Sequence, residues 1–308
     1  MEGPKPDLMY YNILIKLILF NRYIKEEEWS YIVKEYSKYP QHVIYSKKVY
    51  EYIINIYDCL KLKRSSIIFN SMIFFHRYYI YNLFNNQTII DINSKDFPYL
   101  CISCFILGAK SSEALMNIDT ILKYISEKNI IKIDINNSLE SYKKLIFYYE
   151  FEILSSINFD IKSYDISSKN ISLLFDKIKL NINDNSKLKT IKEYLVAQVR
   201  YSFIFPLFLK FNPLTIVLSC VNILLKQLSF NYEIEQVISD INGRNETSLS
   251  DIERCSILFD IYLFPKNNKS ENNNINMDII RKINTFNSNK IQSLTTENIN
   301  DNINKMEK

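Results

Sequence analysis

Glycine is scarce in this chain, and its scarcity limits the folds that the chain can adopt. Only three glycines occur among 308 residues, at positions 3, 108 and 243, together with seven prolines. Sheets joined by tight turns usually need more glycine, because several turn types require a positive φ angle. Apolar residues recur instead with helical spacing from residue 8 to about residue 264. The sequence therefore predicts an all-α fold.

Breaks in the helical spacing place the individual helices. A first group is predicted at 8–24, 26–37, 45–61, 65–84, 96–109, 115–127 and 138–157. After a link at 158–165, a second group is predicted at 166–181, 187–208, 213–229, 232–240 and 248–263. The stretches 65–109 and 187–227 share one pattern, in which a long helix rich in aromatic residues is followed by a loop, a proline and a helix with small residues. This repeat predicts two similar bundles of about five helices each.

The two ends of the chain differ from the region between them. From Lys266 the sequence is rich in Asn, Ser and Lys and poor in core-forming residues, which predicts a disordered tail. At the other end, the apolar stretch 8–20 contains Lys16 and is shorter than the ~20 residues that a membrane span needs. We interpret 8–20 as an amphipathic helix packed on the body, and we expect no association with a membrane.

Several kinds of active site lack their usual residues in this sequence. Three glycines hardly suffice for a phosphate-binding loop, and the two histidines, His42 and His76, are too few for most zinc sites and His-based triads. Five cysteines lie in long apolar segments, including Cys101 and Cys104 one helical turn apart, and are expected to be reduced core thiols. We therefore predict no catalytic residue, no metal and no cofactor.

The charge of the chain gives little support to nucleic-acid binding. The net charge is only +4, and the basic residues form no strongly basic stripe. Proteins that bind nucleic acid usually neutralise phosphates with clustered Lys and Arg side chains. We expect no direct contact with nucleic acid.

Two charged residues stand in unusually apolar surroundings. Lys110 follows a dense apolar run, and Glu150 lies among aromatic residues in the helix predicted at 138–157. Burying a lone charge costs several kcal/mol, so a charge in such a place is usually paired or faces a partner. Lys110 and Glu150 can meet if their helices are neighbours; alternatively, Glu150 points to water beside Glu152. The spacing alone leaves both interpretations open.

Three motifs in the first half of the chain resemble the cyclin box. They are FHRYY at 75–79, YLCISCFILGAKSSEALMNIDTIL at 99–122 and YYEFEILSSINFDI at 148–161. Cyclin boxes have an Arg-aromatic pair, an Ala-Gly-Lys-x-x-Glu stretch, and a Glu-x-x-x-Leu stretch that ends in Phe-Asp-apolar. The residues in register with this pattern are Arg77, Lys110, Glu113, Glu150, Leu154, Phe159, Asp160 and Ile161. The departures, which mark a divergent box, are Ser111, Ser112 and Asn158.

The resemblance covers about 45–264 and also suggests a domain organisation. It is weaker in the second half, where VRYSFIFPLFLKFNPLTIVLSCVNILL is similar to a second cyclin box. The implied domains are an N-terminal helical extension at 1–44, a first box at 45–162, a second box at 163–264 and a low-complexity tail at 265–308. The order His76-Arg77-aromatic is the form seen in transcription-associated cyclins of the T, K and L kinds.

The resemblance implies a function as well as a fold. A cyclin has no active site; it binds a cyclin-dependent serine/threonine kinase as a heterodimer and shifts it towards its active conformation, in transcription or cell-cycle control. Lys110 and Glu150 would hydrogen-bond main-chain groups near the start of the kinase's regulatory helix. The apolar groove around them would be formed by Leu107, Leu154, Phe159 and Ile161. The implied location is the nucleus, with the cytoplasm left open.

Two other interpretations share the helical fold. One is a nucleic-acid-binding module similar to transcription factor IIB, for which a zinc ribbon and strongly basic repeats would be expected. The other is a scaffold that has the cyclin fold but binds no kinase, and the departures at Ser111 and Ser112 leave room for it.

Overall fold

The structure is a computed structural model, and it describes residues 32, 41–85, 89–114, 116–128, 130, 139–161, 171, 185–227 and 248–263. Within these residues the chain forms eight α-helices, one short 3-10 helix and no strand. The helices are α1 (Gln41–Cys59), α2 (Ser66–Phe84), α3 (Phe97–Ser111), α4 (Ile118–Glu127), α5 (Leu139–Ser156), α6 (Asn185–Ser202), α7 (Pro213–Gln227) and α8 (Leu249–Leu263), and the 3-10 helix is Leu207–Leu209. The predicted all-α fold is confirmed.

The chain divides into two compact units. Unit 1 consists of Met1–Asn170 and Arg200–Ile216, and unit 2 consists of Ile171–Val199 and Val217–Lys308. Helices α1 to α5 all belong to unit 1, whereas α8 and most of α6 and α7 belong to unit 2.

Some predicted elements lie outside the described residues. These are the helices at 8–24, 26–37, 166–181 and 232–240, apart from the single residues Ile32 and Ile171, and the tail at 265–308. Of the N-terminal extension at 1–44, the structure describes residue 32 and the start of α1. No helix in the described ranges is both long enough and apolar enough to cross a membrane.

Helix α3 is the centre of unit 1, because its sequence is apolar on every side. Each residue from Tyr99 to Ala109 is buried, and α1, α2 and α5 pack around the helix. Pro98 lies in the first turn, where a missing N–H needs no partner. Lys110 follows directly and is exposed. Lys110 therefore lies at the surface of the unit, directly after the last buried residue of the helix.

Helices α2 and α3 approach each other closely at Gly108. A Cβ atom at this position would lie 2.2 Å from Ser71 Oγ and 2.7 Å from the carbonyl oxygen of Ile67, both in α2. Real side chains do not come this close, so only glycine permits the observed distance between the two backbones.

The segment after α6 differs from the prediction of one helix at 187–208. The α-helix ends at Ser202, and a turn leads to the 3-10 helix. Pro206 explains the break, because proline has no N–H and disfavours helical geometry in the residue before it. The rings of Phe203 and Phe69 lie 4.7 Å apart, so this segment packs against α2 within unit 1. The predicted continuation of the helix to residue 208 was wrong.

In unit 2, buried hydroxyl groups link α7 and α8. Ser219 Oγ donates to the carbonyl oxygen of Ile252 at 3.0 Å. Helix α7 begins at Pro213, the predicted first residue of this helix. Ser248 Oγ accepts a hydrogen bond from the backbone N–H of Asp251 at 3.1 Å and so caps the start of α8.

Candidate protein-binding site

Lys110 stands at the end of α3, where the chain turns sharply. The backbone N–H of Ala114 donates to the carbonyl oxygen of Ala109 at 2.9 Å, and Glu113 has a φ angle of 56°. A left-handed residue with this hydrogen bond is a common way to end a helix and to satisfy its last carbonyl groups. The turn leaves the Lys110 side chain in the last turn of the helix, beside α5.

Glu150 of α5 is the partner of Lys110. Lys110 Nζ donates to Glu150 Oε1 and forms an ion pair with it. The two ends of the pair differ in environment, because the lysine side chain is 45% exposed and the glutamate side chain only 10%. Of the two interpretations that the sequence left open, the structure shows the paired one.

The second carboxylate oxygen of Glu150, Oε2, is buried. No hydrogen bond reaches Oε2 from any residue in the described part of the chain. A buried carboxylate oxygen without a donor is costly, so such an atom calls for an explanation. Lys110 has N–H groups beyond the one that Glu150 accepts. Lys110 can therefore donate further hydrogen bonds at the edge of the unit, and Oε2 can accept one if a partner's donor displaces the side chains that cover it.

The chain leaves α5 through two consecutive left-handed residues. Asn158 and Phe159 have φ angles of 51° and 55°, and the N–H of Phe159 donates to the carbonyl oxygen of Leu154 at 2.8 Å. Asparagine tolerates this conformation better than most residues, which explains how it can stand where the family commonly has glycine. The turn leaves the Phe159 ring 57% exposed, next to α5.

Arg77 of α2 holds this turn from inside the unit. Its Nη1 donates to the carbonyl oxygen of Asp160 at 2.9 Å, and its Nη2 donates to that of Ile157 at 3.5 Å and lies 3.5 Å from Asp160 Oδ2. Burial lowers the pKa of Arg77 to about 10, and the Asp160 carboxylate opposes this shift, so the guanidinium group stays charged at pH 7. The Arg-aromatic motif and the Phe-Asp-apolar motif of the sequence are therefore in direct contact, and the arginine of the first motif stabilises the turn that contains the second.

The four apolar residues predicted around the pair occupy different positions. Leu107 is 2% exposed and belongs to the core of α3. Leu154 is half-buried, and Phe159 and Ile161 are exposed. Of the four, Leu154, Phe159 and Ile161 are thus at least partly accessible to a partner, whereas Leu107 is not.

The prediction omitted three exposed aromatic residues of α5: Phe147, Tyr148 and Phe151. The centroids of the Phe151 and Phe159 rings lie 6.1 Å apart in an edge-to-face arrangement. A signal was present in the sequence, because aromatic residues occupy positions 147, 148, 149 and 151, more than one buried helix face can hold.

Ser112, one of the departures from the family pattern, is buried and well bonded. Its Oγ accepts from Asn70 Nδ2 at 3.0 Å, and its carbonyl oxygen accepts from Arg64 Nη1 at 2.6 Å. The serine therefore ties the end of α3 to the beginning of α2. The departure changes the side chain but leaves the helix end anchored.

His76 is a core residue. It is fully buried, and its Nε2 lies 2.8 Å from the carbonyl oxygen of Phe203, which accepts a hydrogen bond if Nε2 carries the proton. Burial lowers its pKa to about 4, although the hydrogen bond to Phe203 works against this shift. The side chain is therefore neutral at physiological pH.

Cys101 and Cys104 are buried in α3 and are free thiols. Burial raises the pKa of both, which makes the thiolate form unfavourable at neutral pH. Among the described residues, no three His, Cys, Asp or Glu side chains come together in a way that could hold a metal ion.

Comparison with known proteins gives one relative in sequence. No protein-family model matches the chain. The chain is 25% identical over 131 residues to CTD kinase subunit beta of Saccharomyces cerevisiae, a match that covers 42% of this chain and 36% of that protein. The chain therefore matches only about a third of the length of this curated relative.

A solved structure has a similar fold. The chain superposes on a chain of the CAK complex from Chaetomium thermophilum bound to ATP-gamma-S with a TM-score of 0.51 and 16% identity, over 79% of this chain and 71% of that chain. For a chain of the yeast TFIIK (Kin28/Ccl1/Tfb3) complex, the TM-score is 0.49 at 13% identity, over 80% of this chain and 92% of that chain. The resemblance to transcription-associated cyclins is confirmed by the sequence match to a kinase subunit and by the helical fold shared with the CAK chain.

Proposed function

We propose that the chain is a cyclin, a regulatory subunit that binds and activates a cyclin-dependent serine/threonine kinase and has no catalytic site of its own. The observation that carries this proposal is the Lys110–Glu150 pair, in which one buried carboxylate oxygen has no donor among the described residues. The pair lies beside exposed apolar residues, as a docking site requires.

The chemistry of the pair suits the recognition of a partner's main chain. Glu150 Oε2 can accept from a backbone N–H, and Lys110 can donate to a backbone carbonyl oxygen at the end of a helix. Hydrogen bonds with one charged partner are shorter and stronger than neutral ones. A kinase helix whose end reaches the pair would therefore supply the donor that Oε2 lacks among the described residues.

The apolar residues beside the pair would supply most of the binding energy. Phe159, Ile161 and Leu154 can be buried by a partner, and full burial of each such side chain is worth about 1.5–3 kcal/mol. A few apolar anchors around a desolvated charge are typical of strong protein interfaces. Leu107, which is buried in α3, would contribute indirectly, because its packing in the core keeps α3 and Lys110 in position.

Activation follows if these contacts exist only in the active conformation of the kinase. A ligand shifts a conformational equilibrium only by the difference between its affinities for the two states. In kinases, the position of one regulatory helix decides whether the catalytic Lys–Glu pair forms. A cyclin surface that holds this helix inward therefore activates the enzyme without taking part in the chemistry.

The role in transcription and the location in the nucleus rest on the similarity to CTD kinase subunit beta.

We propose that residues 45–162 and 163–264 are two tandem cyclin boxes, with 1–44 as an extension and 265–308 as a tail. The match with the yeast protein extends over less than half of the chain. A cyclin-dependent kinase as partner, the phosphorylation of its substrates and a role in the cytoplasm are therefore proposed rather than inherited from that protein.

The proposal is tested by reconstitution with defined kinases. The full chain is mixed in turn with each recombinant cyclin-dependent kinase of the source organism, and complex formation and phosphorylation of a peptide substrate are measured. We expect one kinase to bind and to become active only in the complex. Binding without activation would favour the scaffold interpretation, and DNA binding without any kinase would favour the IIB-like one.

A further inference from the structure

We infer that Ser112 and Asn70 are positioning residues for the recognition of the kinase, because the hydrogen bond between them fixes the last turn of α3, which presents Lys110. This role rests on the proposed function and adds to it two residues that do not touch the partner. Ser112 departs from the family pattern, so its contact with Asn70 is not among the features that the resemblance implies.

The hydrogen bond between the two side chains is buried. Asn70 is 1% exposed and Ser112 8%, and Asn70 Nδ2 donates to Ser112 Oγ at 3.0 Å. Water competes little for a hydrogen bond in the interior, so the bond holds its two ends in a defined geometry. Neither side chain offers a surface to a partner, and an effect of either residue on kinase binding must therefore be indirect.

The backbone of Ser112 is joined to the turn that contains Lys110. The N–H of Ser112 donates to the carbonyl oxygens of Gly108 and Ala109, at 3.1 Å each, and these two residues directly precede Lys110. The carbonyl oxygen of Ser112 accepts from Arg64 Nη1 at 2.6 Å. Ser112 thus anchors the end of α3 through its backbone and its side chain, and Lys110 lies within the anchored turn.

Helix α2 provides a firm base for this anchor. Residues 67, 70 and 71 share one face of α2, since they are three and four positions apart. On this face the backbones of α2 and α3 already touch, because a Cβ atom at Gly108 would lie 2.7 Å from the Ile67 carbonyl oxygen and from the Ser71 backbone nitrogen. The body of α3 therefore has little room to shift on α2, and Asn70 extends this restraint to the residue after the helix.

The position of the Lys110 ammonium group depends on this restraint. The lysine side chain is 45% exposed, and a lysine carries its charge on a flexible four-carbon stem. A charged donor recognises a partner's acceptor only within a narrow range of distance and angle, and groups around a binding site usually hold it to about 0.5 Å. A loose last turn would spread the ammonium over several positions. Loss of the Asn70–Ser112 bond should therefore weaken kinase binding although no contacting group is removed.

The experiment is a double-mutant cycle in the full chain. Ser112→Ala is made in the wild-type chain and in Lys110→Ala, and affinity is measured for the recombinant kinase that the wild-type chain binds. We expect Ser112→Ala to weaken binding about fivefold or more in the wild-type chain, but within about twofold in Lys110→Ala. A residue that acts through the Lys110 ammonium has no effect to exert once that group is gone. Asn70→Ala breaks the same bond and should give the same pattern.

The matched control is Ser219→Ala. Ser219 is also a fully buried serine whose hydroxyl group links two helices, α7 and α8, through the carbonyl oxygen of Ile252 at 3.0 Å, but it lies in unit 2. Thermal unfolding is measured for every variant. We expect the control to lose melting temperature as Ser112→Ala does and to bind the kinase within about twofold of wild type. Ser112→Ala removes a single oxygen atom, so it carries the test if Asn70→Ala does not fold.

The outcomes separate the positioning role from the proposed function. Normal binding by Ser112→Ala and Asn70→Ala, with weakened binding by Lys110→Ala, would overturn the positioning role and leave the proposed function intact. Equal weakening by Ser112→Ala with and without the Lys110 side chain would also overturn it, because the serine would then act on the fold as a whole. A wild-type chain that binds none of the kinases would overturn both.

Discussion

At the scale of single residues, Arg77 and Glu150 use a buried charge in different ways. Arg77 donates hydrogen bonds inside the unit, to the carbonyl oxygens of Ile157 and Asp160, and it forms an ion pair with the Asp160 carboxylate. Glu150 uses one oxygen inside the unit and leaves the other without a donor among the described residues. The first arrangement is expected to stabilise the fold, and the second is suited to a partner.

Loss of the Arg77 side chain is expected to destabilise unit 1. Arg77→Ala removes the donors that satisfy the end of α5, and breaking such a buried arrangement typically costs about 3–5 kcal/mol in the free energy of unfolding. The measurement is urea unfolding of the full chain. As a comparison, Asp160→Asn keeps the backbone acceptor and removes only the counter-charge of the guanidinium group, so it should cost less than Arg77→Ala. Equal stability of Arg77→Ala and wild type would contradict this account of the turn.

His76 is expected to make the fold sensitive to acid. Its pKa is lowered to about 4 in the folded chain, against 6.5 in the unfolded chain. The unfolded state therefore binds a proton first, so the contribution of neutral His76 is complete above about pH 6.5 and is lost as the pH falls towards 4. Between pH 7 and pH 5 this residue should lower the free energy of unfolding by about 2 kcal/mol.

The test of the His76 prediction is urea unfolding at pH 7 and pH 5. His76→Gln removes the titrating group while keeping a donor, so its loss of stability over this pH interval should be smaller than that of wild type by about 2 kcal/mol. The same loss in both proteins would assign the acid sensitivity to other groups.

At the scale of helices, the packing of α2 on α3 depends on Gly108. Glycine in the middle of a helix normally costs about 0.5–1 kcal/mol relative to alanine, so Gly→Ala should stabilise an isolated helix. Here the added methyl group would lie 2.7 Å from the Ile67 carbonyl oxygen and 2.7 Å from the Ser71 backbone nitrogen, which cannot rotate away. The two effects oppose each other, and the backbone clash is expected to dominate.

Gly108→Ala is therefore expected to lower the free energy of unfolding by about 1–3 kcal/mol, as overpacking of a core does. Differential scanning calorimetry of the full chain measures this. Gly108→Ala combined with Ser71→Ala should recover only part of the loss, because the clashes with the α2 backbone remain. Full recovery, or a gain in stability from Gly108→Ala alone, would show that the two helices can move apart easily.

The left-handed turn after α5 gives a prediction about residue 158. Asn158 has a φ angle of 51°, a conformation that glycine adopts freely and β-branched residues adopt poorly. Asn158→Gly should leave the melting temperature nearly unchanged, whereas Asn158→Val should lower the free energy of unfolding by about 1–2 kcal/mol. If both substitutions had the same effect, the turn would not have the backbone conformation described here.

Much of the helical framework could be predicted from the sequence, because periodic apolar residues and prolines mark it. The second helix of unit 1 was predicted at 65–84 and is found at Ser66–Phe84. The predicted start of α4 was wrong because a local hydrogen bond decides it. The helix begins at Ile118 rather than at 115, since the Asn117 side chain accepts from the N–H of Asp119 and caps the helix.

The site could be predicted only in part, since some of its contacts depend on the tertiary structure. Lys110 and Glu150 were recognisable as charges in apolar surroundings, and the structure pairs them. The acceptors of Arg77 are mainly backbone carbonyl groups about 80 residues away, for which no side chain gives a signal. The burial of Leu107 likewise follows from the position of α3 among its neighbours.

At the scale of the whole molecule, the candidate site lies within unit 1. Lys110, Glu150 and the exposed apolar residues all come from α3, α5 and the turn after α5, which belong to this unit. The central claim is that the pair recognises a kinase, although its two members also bind each other. An ion pair with a half-exposed lysine contributes little to folding, whereas a charge that serves a buried partner contributes strongly to association.

The most direct test of this claim measures thermal unfolding and kinase affinity on the same two variants, Lys110→Ala and Glu150→Ala. Each variant is expected to bind the kinase about 30-fold more weakly or worse, which corresponds to a loss of about 2–5 kcal/mol in association, and to melt close to wild type. Normal kinase binding by both variants would contradict the account, whatever their stability.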